Sequence, residues 1–438
     1  MAHIAPFRAL RYDPTRVAIP DVVTQPYDKI TNQMRERYDA ASPYNLVRII
    51  LGKPEPSDDT SANVYTRGAA CFRDWRKHGI LRQDSEQSIY QYAERFQPPG
   101  NSVRSERSGF IALGKIEDYS AGVVFRHEQT LDAPKADRLE LLRATRAHFG
   151  QLFMLYSDPA HEIEQDLANC GIQLAEFTDE FGVEHRLSRI SDPDLLTLIQ
   201  GRMRDKNLII ADGHHRYETA LAYREEQRML DGSGKKAGTT KLAPYDFAMM
   251  TFVNMENPGL AILPTHRVVH GLGEFSAEDF RNQARAYFSV EEVDPSLNAS
   301  RAEAILRQAG LSGPALLAVT AERAFLLDTP RALGSRIFDG VSLRQQSLDV
   351  VQLHKCLLEG VLNISQDAIR SQKNVSYLRD AGEALTRVRS GGANVALLMN
   401  PVRMKHVRDI AFGGEVLPQK STDFYPKLLS GLTIYALD

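Results

Sequence analysis

The stretch that most constrains this chain is Asn207-Leu208-Ile209-Ile210-Ala211-Asp212-Gly213-His214-His215-Arg216. An apolar run ends at Ala211, polar and special residues follow at once, and a helical pattern starts at about Tyr217. A strand that turns through glycine into a helix gathers backbone amides and the positive end of the helix dipole at one place. That is how anion sites are commonly built. Gly213 can take backbone angles closed to other residues and lets an anion approach closely. Asp212 can hold a divalent cation or orient a hydroxyl, while His214, His215 and Arg216 bring proton transfer and positive charge. The alternative is a polar loop with a helix cap. The convergence of so many chemically able groups favours a site.

At 438 residues the chain is long for one core, so two or three packed subdomains are expected. A composition change at Gly271–Glu274 divides it. Residues 1–270 form an N-terminal α/β region containing the turn, and residues 271–438 form a C-terminal α+β domain whose tail can return to the site. Hydrophobic residues at 43% and charged residues at 25% exclude a disordered chain. A net charge of −3 with both signs mixed argues against a nucleic-acid partner, which needs a concentrated basic face. A local basic pocket for a phosphorylated metabolite or nucleotide is compatible with it.

Cys71, Cys170 and Cys356 form no CxxC pair, which suits a reducing compartment. The opening Met-Ala-His-Ile-Ala-Pro-Phe-Arg lacks the pattern of a signal peptide, and no apolar run reaches the roughly 20 residues of a membrane span. A cytoplasmic protein with no membrane partner is expected.

Strand-like and helix-like segments alternate. Arg16–Thr24 is rich in valine and isoleucine and is broken by Pro26-Tyr27-Asp28; Asn45–Leu51 reads as a strand. Apolar spacing over Ser61–Lys77 predicts a helix. Ser88–Arg95 and Ser108–Ile116 read as strands, Arg138–His148 as a helix and Gln151–Tyr156 as a strand. Asp192-Pro193-Asp194 opens a helix to Met203. Leu208–Ala211 is the strand before the turn and Tyr217–Leu230 the helix after it. Asp231–Lys241 reads as a linker, and Asp246–Val253 as a buried strand.

Beyond Ser276 come a helix at Ala277–Phe288 and strands at Ala315–Thr320 and Arg323–Asp328. Helices at Leu348–Glu359 and Tyr377–Ser390, a strand at Asn394–Asn400 and a turn-rich tail complete the chain. Irregular alternation without a short repeat predicts an α+β (mixed α/β) fold rather than a barrel, a Rossmann domain or a solenoid.

Other polar clusters are candidates to join the turn. Arg126-His127-Glu128-Gln129-Thr130 follows Val123-Val124. His127 and Glu128 offer an acid/base and a carboxylate able to hold Mg²⁺ or activate a hydroxyl. Lys135 and Arg138 can clamp phosphate by charge and fork geometry. Thr265-His266-Arg267, at a strand or loop boundary, is equally readable as part of an anion pocket or as a turn. Near the N-terminus, Arg8, Arg11 and Tyr12 make a basic patch, and Pro26 presents Tyr27 and Asp28 at a rim.

Lys420-Ser421-Thr422 stands where a P-loop would end, with Gly414 at its first glycine. Gln419 occupies the second glycine position and Pro418 interrupts the amide cradle, so a Walker motif is excluded. A lysine and two hydroxyls can still serve a phosphate pocket. His214 and His215 are adjacent rather than one helical turn apart, and no HExxH is present, so a zinc site is unsupported. No GxSxG elbow supports a serine hydrolase.

Taken together, these residues resemble the domain-of-unknown-function family ten-fifteen. The likeness runs through Pro6-Phe7-Arg8-Ala9-Leu10-Arg11-Tyr12, Pro26-Tyr27-Asp28 and Ser42-Pro43-Tyr44-Asn45. It continues through His127-Glu128-Gln129-Thr130 with Lys135 and Asp137-Arg138, and Asp212-Gly213-His214-His215-Arg216 with Tyr217-Glu218-Thr219-Ala220. Gln419-Lys420-Ser421-Thr422 with Phe424-Tyr425-Pro426-Lys427 completes it. Gln25 departs from a proline common in such proteins.

The turn is also similar to the phosphate-binding signature of the ParB and sulfiredoxin-like superfamily, which includes archaeal free serine kinases. That resemblance implies a ParB/sulfiredoxin-like core in which Gly213, His214, His215 and Arg216 contact nucleotide phosphates and Asp212 acts near the metal or the accepting hydroxyl.

The expectation is a phosphotransferase acting on a small hydroxy amino acid such as free serine, or hydrolysing its phosphate. Mg²⁺ would lie at Asp212 and Glu128, with ATP or ADP as the nucleotide. Asp212, His214, His215, Glu128 and His127 are its catalytic candidates. Gly213, Arg216, Lys135, Arg138, Lys420, Ser421 and Thr422 are its binding candidates. A non-enzymatic nucleotide sensor or ParB-like binding protein is the alternative.

Overall fold

In the computed structural model, residues 1–100, 102–129, 132–232, 242–331 and 333–438 are described. Thr130 and most of the Asp231–Lys241 linker lie outside them. The chain divides into two compact units, residues 1–126, 130–261 and 426–438 in the first, and 127–129 and 262–425 in the second. The division therefore falls nine residues before the composition change, and residues 426–438 of the turn-rich tail belong with the N-terminal region.

Among its described residues, the first unit carries a nine-stranded mixed sheet. In chain order its strands are β1 (Ile4–Ala5), β2 (Ile89–Phe96), β3 (Ser105–Lys115), β4 (Val124–Phe125) and β5 (Leu152–Tyr156). They continue with β6 (Ile172–Thr178), β7 (Glu184–Ile190), β8 (Leu208–Asp212) and β9 (Phe247–Asn254). The order across the sheet is β4-β8-β5-β9-β3-β2-β7-β6, with β1 paired to β3. β8 runs parallel to β4 and antiparallel to β5.

The apolar run Leu208-Ile209-Ile210-Ala211 is buried throughout, which is why it reads as unbroken rather than alternating. Ile210 packs with Leu152, Met154, Met250 and Phe252, and Tyr217 joins the same core from the following helix. A second core in this unit gathers Tyr12, Leu46, Phe72, Trp75, Phe149 and Ile434.

The helices that matter for the site are α1 (Val64–Lys77), α2 (Asp132–Thr145), α3 (Pro193–Met203) and α4 (His214–Leu230). Asp192 caps α3 by accepting from Leu195 N at 2.9 Å, with proline in the first turn. α4 begins at His214, three residues earlier than the apolar pattern indicated. Gly213, at φ +94°, turns the chain in a single residue, so both histidines and Arg216 lie on the first helical turn rather than in a loop.

Two segments differ from the sequence reading in type. Val47–Ile50 is a short helix, not a strand, because Asn45 Oδ1 accepts from Val47 N at 2.9 Å and coils the chain locally. Ile19–Val22 is likewise one helical turn.

The second unit contains a six-stranded sheet among its described residues, built from β10 (His266–Val269), β11 (Ser289–Val293), β12 (Leu316–Val319), β13 (Ala324–Asp328), β14 (Val375–Leu378) and β15 (Val395–Met399). Helices α5 (Ala277–Ala284), α6 (Ala299–Ala309), α7 (Ala381–Arg389) and α8 (Met404–Phe412) accompany it. Leu306 and Leu385 pack on Val268, Leu317, Val319 and Leu398.

The segment expected as one helix over Tyr377–Ser390 splits: β14 ends at Leu378, and Asp380 caps α7 through Glu383 N at 2.6 Å. The segment expected as a helix over Leu348–Glu359 is one α turn continued by the π-helix Leu353–Val361.

Candidate functional site

Asp212 is the last residue of β8, and α4 starts two residues later, at His214. Gly213 at the N-cap offers no side-chain acceptor to the first-turn amides, and the first intrahelical bond is Tyr217 N to Gly213 O at 2.9 Å. A Cβ at Gly213 would lie 3.0 Å from both Leu152 Cδ2 and Arg216 Nη2, so glycine is needed for space as well as for φ. Arg216, four residues beyond Asp212, folds back over the turn. It donates from Nη2 to Asp212 Oδ2 at 2.8 Å and from Nη1 to the Gln151 carbonyl at 2.7 Å.

The other Asp212 oxygen, Oδ1, accepts from Lys427 Nζ at 2.7 Å. Lys427 is 6% exposed and Asp212 20%. Burial would raise the Asp212 carboxyl, but Lys427 and Arg216, joined by Lys29, outweigh it and hold the group well below the carboxylate range. With each oxygen on a cation Asp212 is a poor ligand for Mg²⁺ and a weak base. Its geometry is that of an anchor that orients Arg216 and Lys427. Among the described residues, no group of three acidic, histidine or cysteine side chains is placed to hold a metal.

Beside the turn lies a cavity of about 70 Å³ whose lining includes Arg216, Arg138, Tyr27, His148, Thr219 and Ser430. Arg138 lies over the Tyr27 ring at 4.1 Å, donates from Nη1 to Ile50 O at 2.8 Å and pairs with Asp137. Burial, then Asp28, pushes the Tyr27 phenol up to about 12, against the pull of Arg216 and Arg138. Burial lowers His148 to about 4, so the cavity has a neutral imidazole between two guanidiniums and a neutral phenol. Lys135, expected as a clamp, is held 3.8 Å from Glu218 on α4, and Arg126 stands 3.9 Å from the same carboxylate.

The second unit brings together another subset of the expected residues. Glu128 Oε1 accepts from Lys420 N at 2.6 Å, and Thr422 Oγ1 donates toward Glu128 Oε2 at 3.5 Å. His127, fully buried, shares a 2.7 Å hydrogen bond between Nε2 and the same Thr422 hydroxyl. Lys420 holds φ +58°, which sharpens the turn, and Ser421, 1% exposed, donates its hydroxyl to the Pro418 carbonyl. The Ser421 hydroxyl is thus tied into the turn itself, and the Thr422 hydroxyl faces His127 and Glu128. His127, Glu128, Lys420 and Thr422 form one cluster in this unit; Asp212, Gly213 and Arg216 form another in the first.

Lys427 carried no role in the sequence reading. It lies 215 residues from its partner, and its only local signal is a lysine directly after the Tyr425-Pro426 break. Pro426 is held in turn by Arg107, which donates to its carbonyl at 2.7 Å. Gln151 escaped notice because its backbone carbonyl, not its side chain, meets Arg216. No helix among the described residues is long and apolar enough to cross a membrane.

The family described as "Protein of unknown function (DUF1015)" matches residues 4–351. Solved structures that align with the chain include a conserved hypothetical protein from Pyrococcus furiosus, at 13% identity and a TM-score of 0.34, covering 71% of this chain and 92% of that one. A free serine kinase in complex with AMP aligns at 12% identity and a TM-score of 0.35, covering 71% and 89%. SbnI with a C-terminal truncation, from Staphylococcus aureus, aligns at 12% and 0.34, covering 74% and 87%. No curated protein matches the chain.

Proposed function

The chain belongs to this family of unknown function, matched over residues 4–351, and from its site we propose a phosphotransferase acting on a small hydroxy amino acid such as free serine. The observation that carries the reading is the pair Arg138 and Arg216 lining one small cavity beside the strand–glycine–helix turn. Two guanidiniums and a helix N-terminus beside them favour a compact anion over a neutral ligand. About 70 Å³ has room for a phosphoryl-sized group, whereas sites for larger ligands usually span about 300 Å³ or more.

In this reading Gly213 lets the phosphoryl group approach, and Arg216 and Arg138 offset charge as it grows during transfer. His214 and His215, on the first turn of α4, are the candidate proton carriers. Asp212 and Lys427 act as positioning residues, because they hold Arg216 in place. The donor would be ATP or ADP. The Asp212 carboxylate, with each oxygen on a cation, does not fit Mg²⁺. Glu128 and His127 form a separate acid/base candidate in the second unit.

The test incubates the full chain with labelled serine and ATP or ADP, and separately with phosphoserine. Formation or loss of phosphoserine, abolished by Arg216→Ala, supports transfer or hydrolysis. The engagement of both Asp212 oxygens favours a second reading, a phosphate or nucleotide sensor without turnover. Saturable nucleotide binding with no change in either pool selects that one. No binding and no turnover overturns both.

A further inference from the structure

The second unit contains a cavity of about 340 Å³, within the range of small-molecule sites and unconnected to the phosphate reading. One wall is apolar, from Val351, Ile369 and Val416. Another comes from the π-helix Leu353–Val361, whose wider turns bring His354, Lys355 and Glu359 to the lining. Such π segments recur at functional sites because they cost backbone stability that packing alone does not demand.

Arg267 lies behind this wall. It is fully buried and makes no ion pair among the described residues. Its Nε donates to His354 Nε2 at 3.2 Å, its Nη1 to the Thr265 carbonyl, and its Nη2 to Gln419 O at 3.4 Å. Its guanidinium also lies 5.0 Å from the centre of the Tyr377 ring. A guanidinium only donates, so the contact fixes the His354 tautomer: Nε2 accepts and Nδ1 carries the proton. That Nδ1–H has no protein acceptor among the described residues, and His354 lines the cavity. Burial, then Arg267 and Lys355, hold the His354 pKa well below its usual value, so the ring is a neutral, oriented donor. Lys355 pairs with Glu359 at 2.9 Å, and Arg370 adds a second cation at the rim.

We propose that this cavity binds a small organic carboxylate with a branched apolar body. Its carboxylate would accept from His354 Nδ1–H and from Lys355, and its apolar part would lie against Val351, Ile369 and Val416. Lys355 and Arg370 in the lining outnumber the Glu359 carboxylate, Arg267 behind it adds a cation that Glu128 partly offsets, and the apolar wall selects an organic anion over a bare inorganic ion. His354, Lys355, Glu359, Arg370 and Gln419 all lie beyond the segment matched by the family.

The probe is isovalerate, with isoamyl alcohol and inorganic phosphate as controls, titrated into full-length chain labelled with ¹⁵N at histidine. The expected result is a saturable shift of the His354 imidazole signal with isovalerate alone, and a tenfold or greater loss of affinity in Lys355→Met. His354→Phe should abolish binding and also lower the melting temperature, because Arg267 Nε loses its acceptor. If Lys355→Met melts early, Ile369→Trp, which fills the apolar side, replaces it and should block isovalerate equally. No saturable shift, equal binding of the alcohol or of phosphate, or full affinity in both Lys355→Met and Ile369→Trp would overturn the proposal.

Discussion

Lys427 Nζ lies 2.7 Å from Asp212 Oδ1, although 215 residues separate the two in the chain. The contact joins the end of the chain to the strand–glycine–helix turn within the first unit. It also divides the Asp212 carboxylate between two cations, since Arg216 takes the other oxygen. An aspartate so placed serves as an anchor.

Lys427→Met should therefore destabilise the chain by about 3 kcal/mol, the usual scale for removing one partner of a buried pair. The double variant Asp212→Asn, Lys427→Met should not recover that loss, because Arg216 then lacks the carboxylate to which its Nη2 donates. Urea unfolding of the two variants measures both values. A single-variant cost under about 0.5 kcal/mol, as for an exposed pair, would show that the contact anchors nothing.

Glu94 and Arg107 are 2% and 1% exposed and bonded to each other, and Arg107 also donates to the Pro426 carbonyl. Glu94→Gln should cost about 3–5 kcal/mol by leaving the guanidinium buried without its counter-charge. It should also lower phosphoserine affinity, since Pro426 precedes Lys427. Unchanged affinity in a variant that is measurably less stable would separate the two effects and uncouple this pair from the site.

Arg216→Lys should behave like Arg216→Ala in ligand-induced melting shifts with phosphoserine. A lysine cannot reach the Gln151 carbonyl and Asp212 together through two fixed donors, so the cation would lose its orientation. Retention of most of the shift in the lysine variant would mean that charge alone suffices there.

Gly213→Ala should cost about 1–3 kcal/mol, the scale for a non-glycine residue held at a strained positive φ. At φ +94° the added Cβ also meets Leu152 and Arg216 at 3.0 Å. Phosphoserine affinity should fall with it, because relief of the clash displaces Arg216. A neutral substitution by thermal melting would show that the turn can relax.

Acid should weaken the fold in a window set by buried histidines. Burial lowers His148 to about 4 from an ordinary 6.5, and burial followed by Arg267 does the same for His266. The unfolded chain takes up these protons first. The stability present above pH 6.5 is therefore lost as pH falls toward 4. Asp212, whose carboxyl is depressed, loses its contribution only at more acid pH. His148→Phe keeps a ring stacked on Tyr435 and should flatten the melting-temperature profile between pH 6.5 and 4. An unchanged profile would assign the acid sensitivity elsewhere.

Local sequence determined a good deal of this protein. The buried run Leu208–Ala211, the glycine at 213 and the polar residues after it specify strand, turn and helix, because each acts through neighbours within one helical turn. Asp192 and Pro193 mark the start of α3 in the same way. Local pattern failed at Asn45–Leu51, where a side-chain bond from Val47 coils a segment whose composition suits a strand. It failed at Leu353–Val361 too, where a run read as an ordinary helix widens into a π-helix.

What only the tertiary structure decided is which charges meet. Nothing near Asp212 announces Lys427, nothing near Arg138 announces Tyr27, and nothing near Arg267 announces His354. Coulombic and hydrogen-bonded pairing depends on distance in space and on the removal of water, and neither is a property of spacing along the chain. The strand, glycine and helix of the turn could therefore be read from the sequence, while the two cations that meet its aspartate could not.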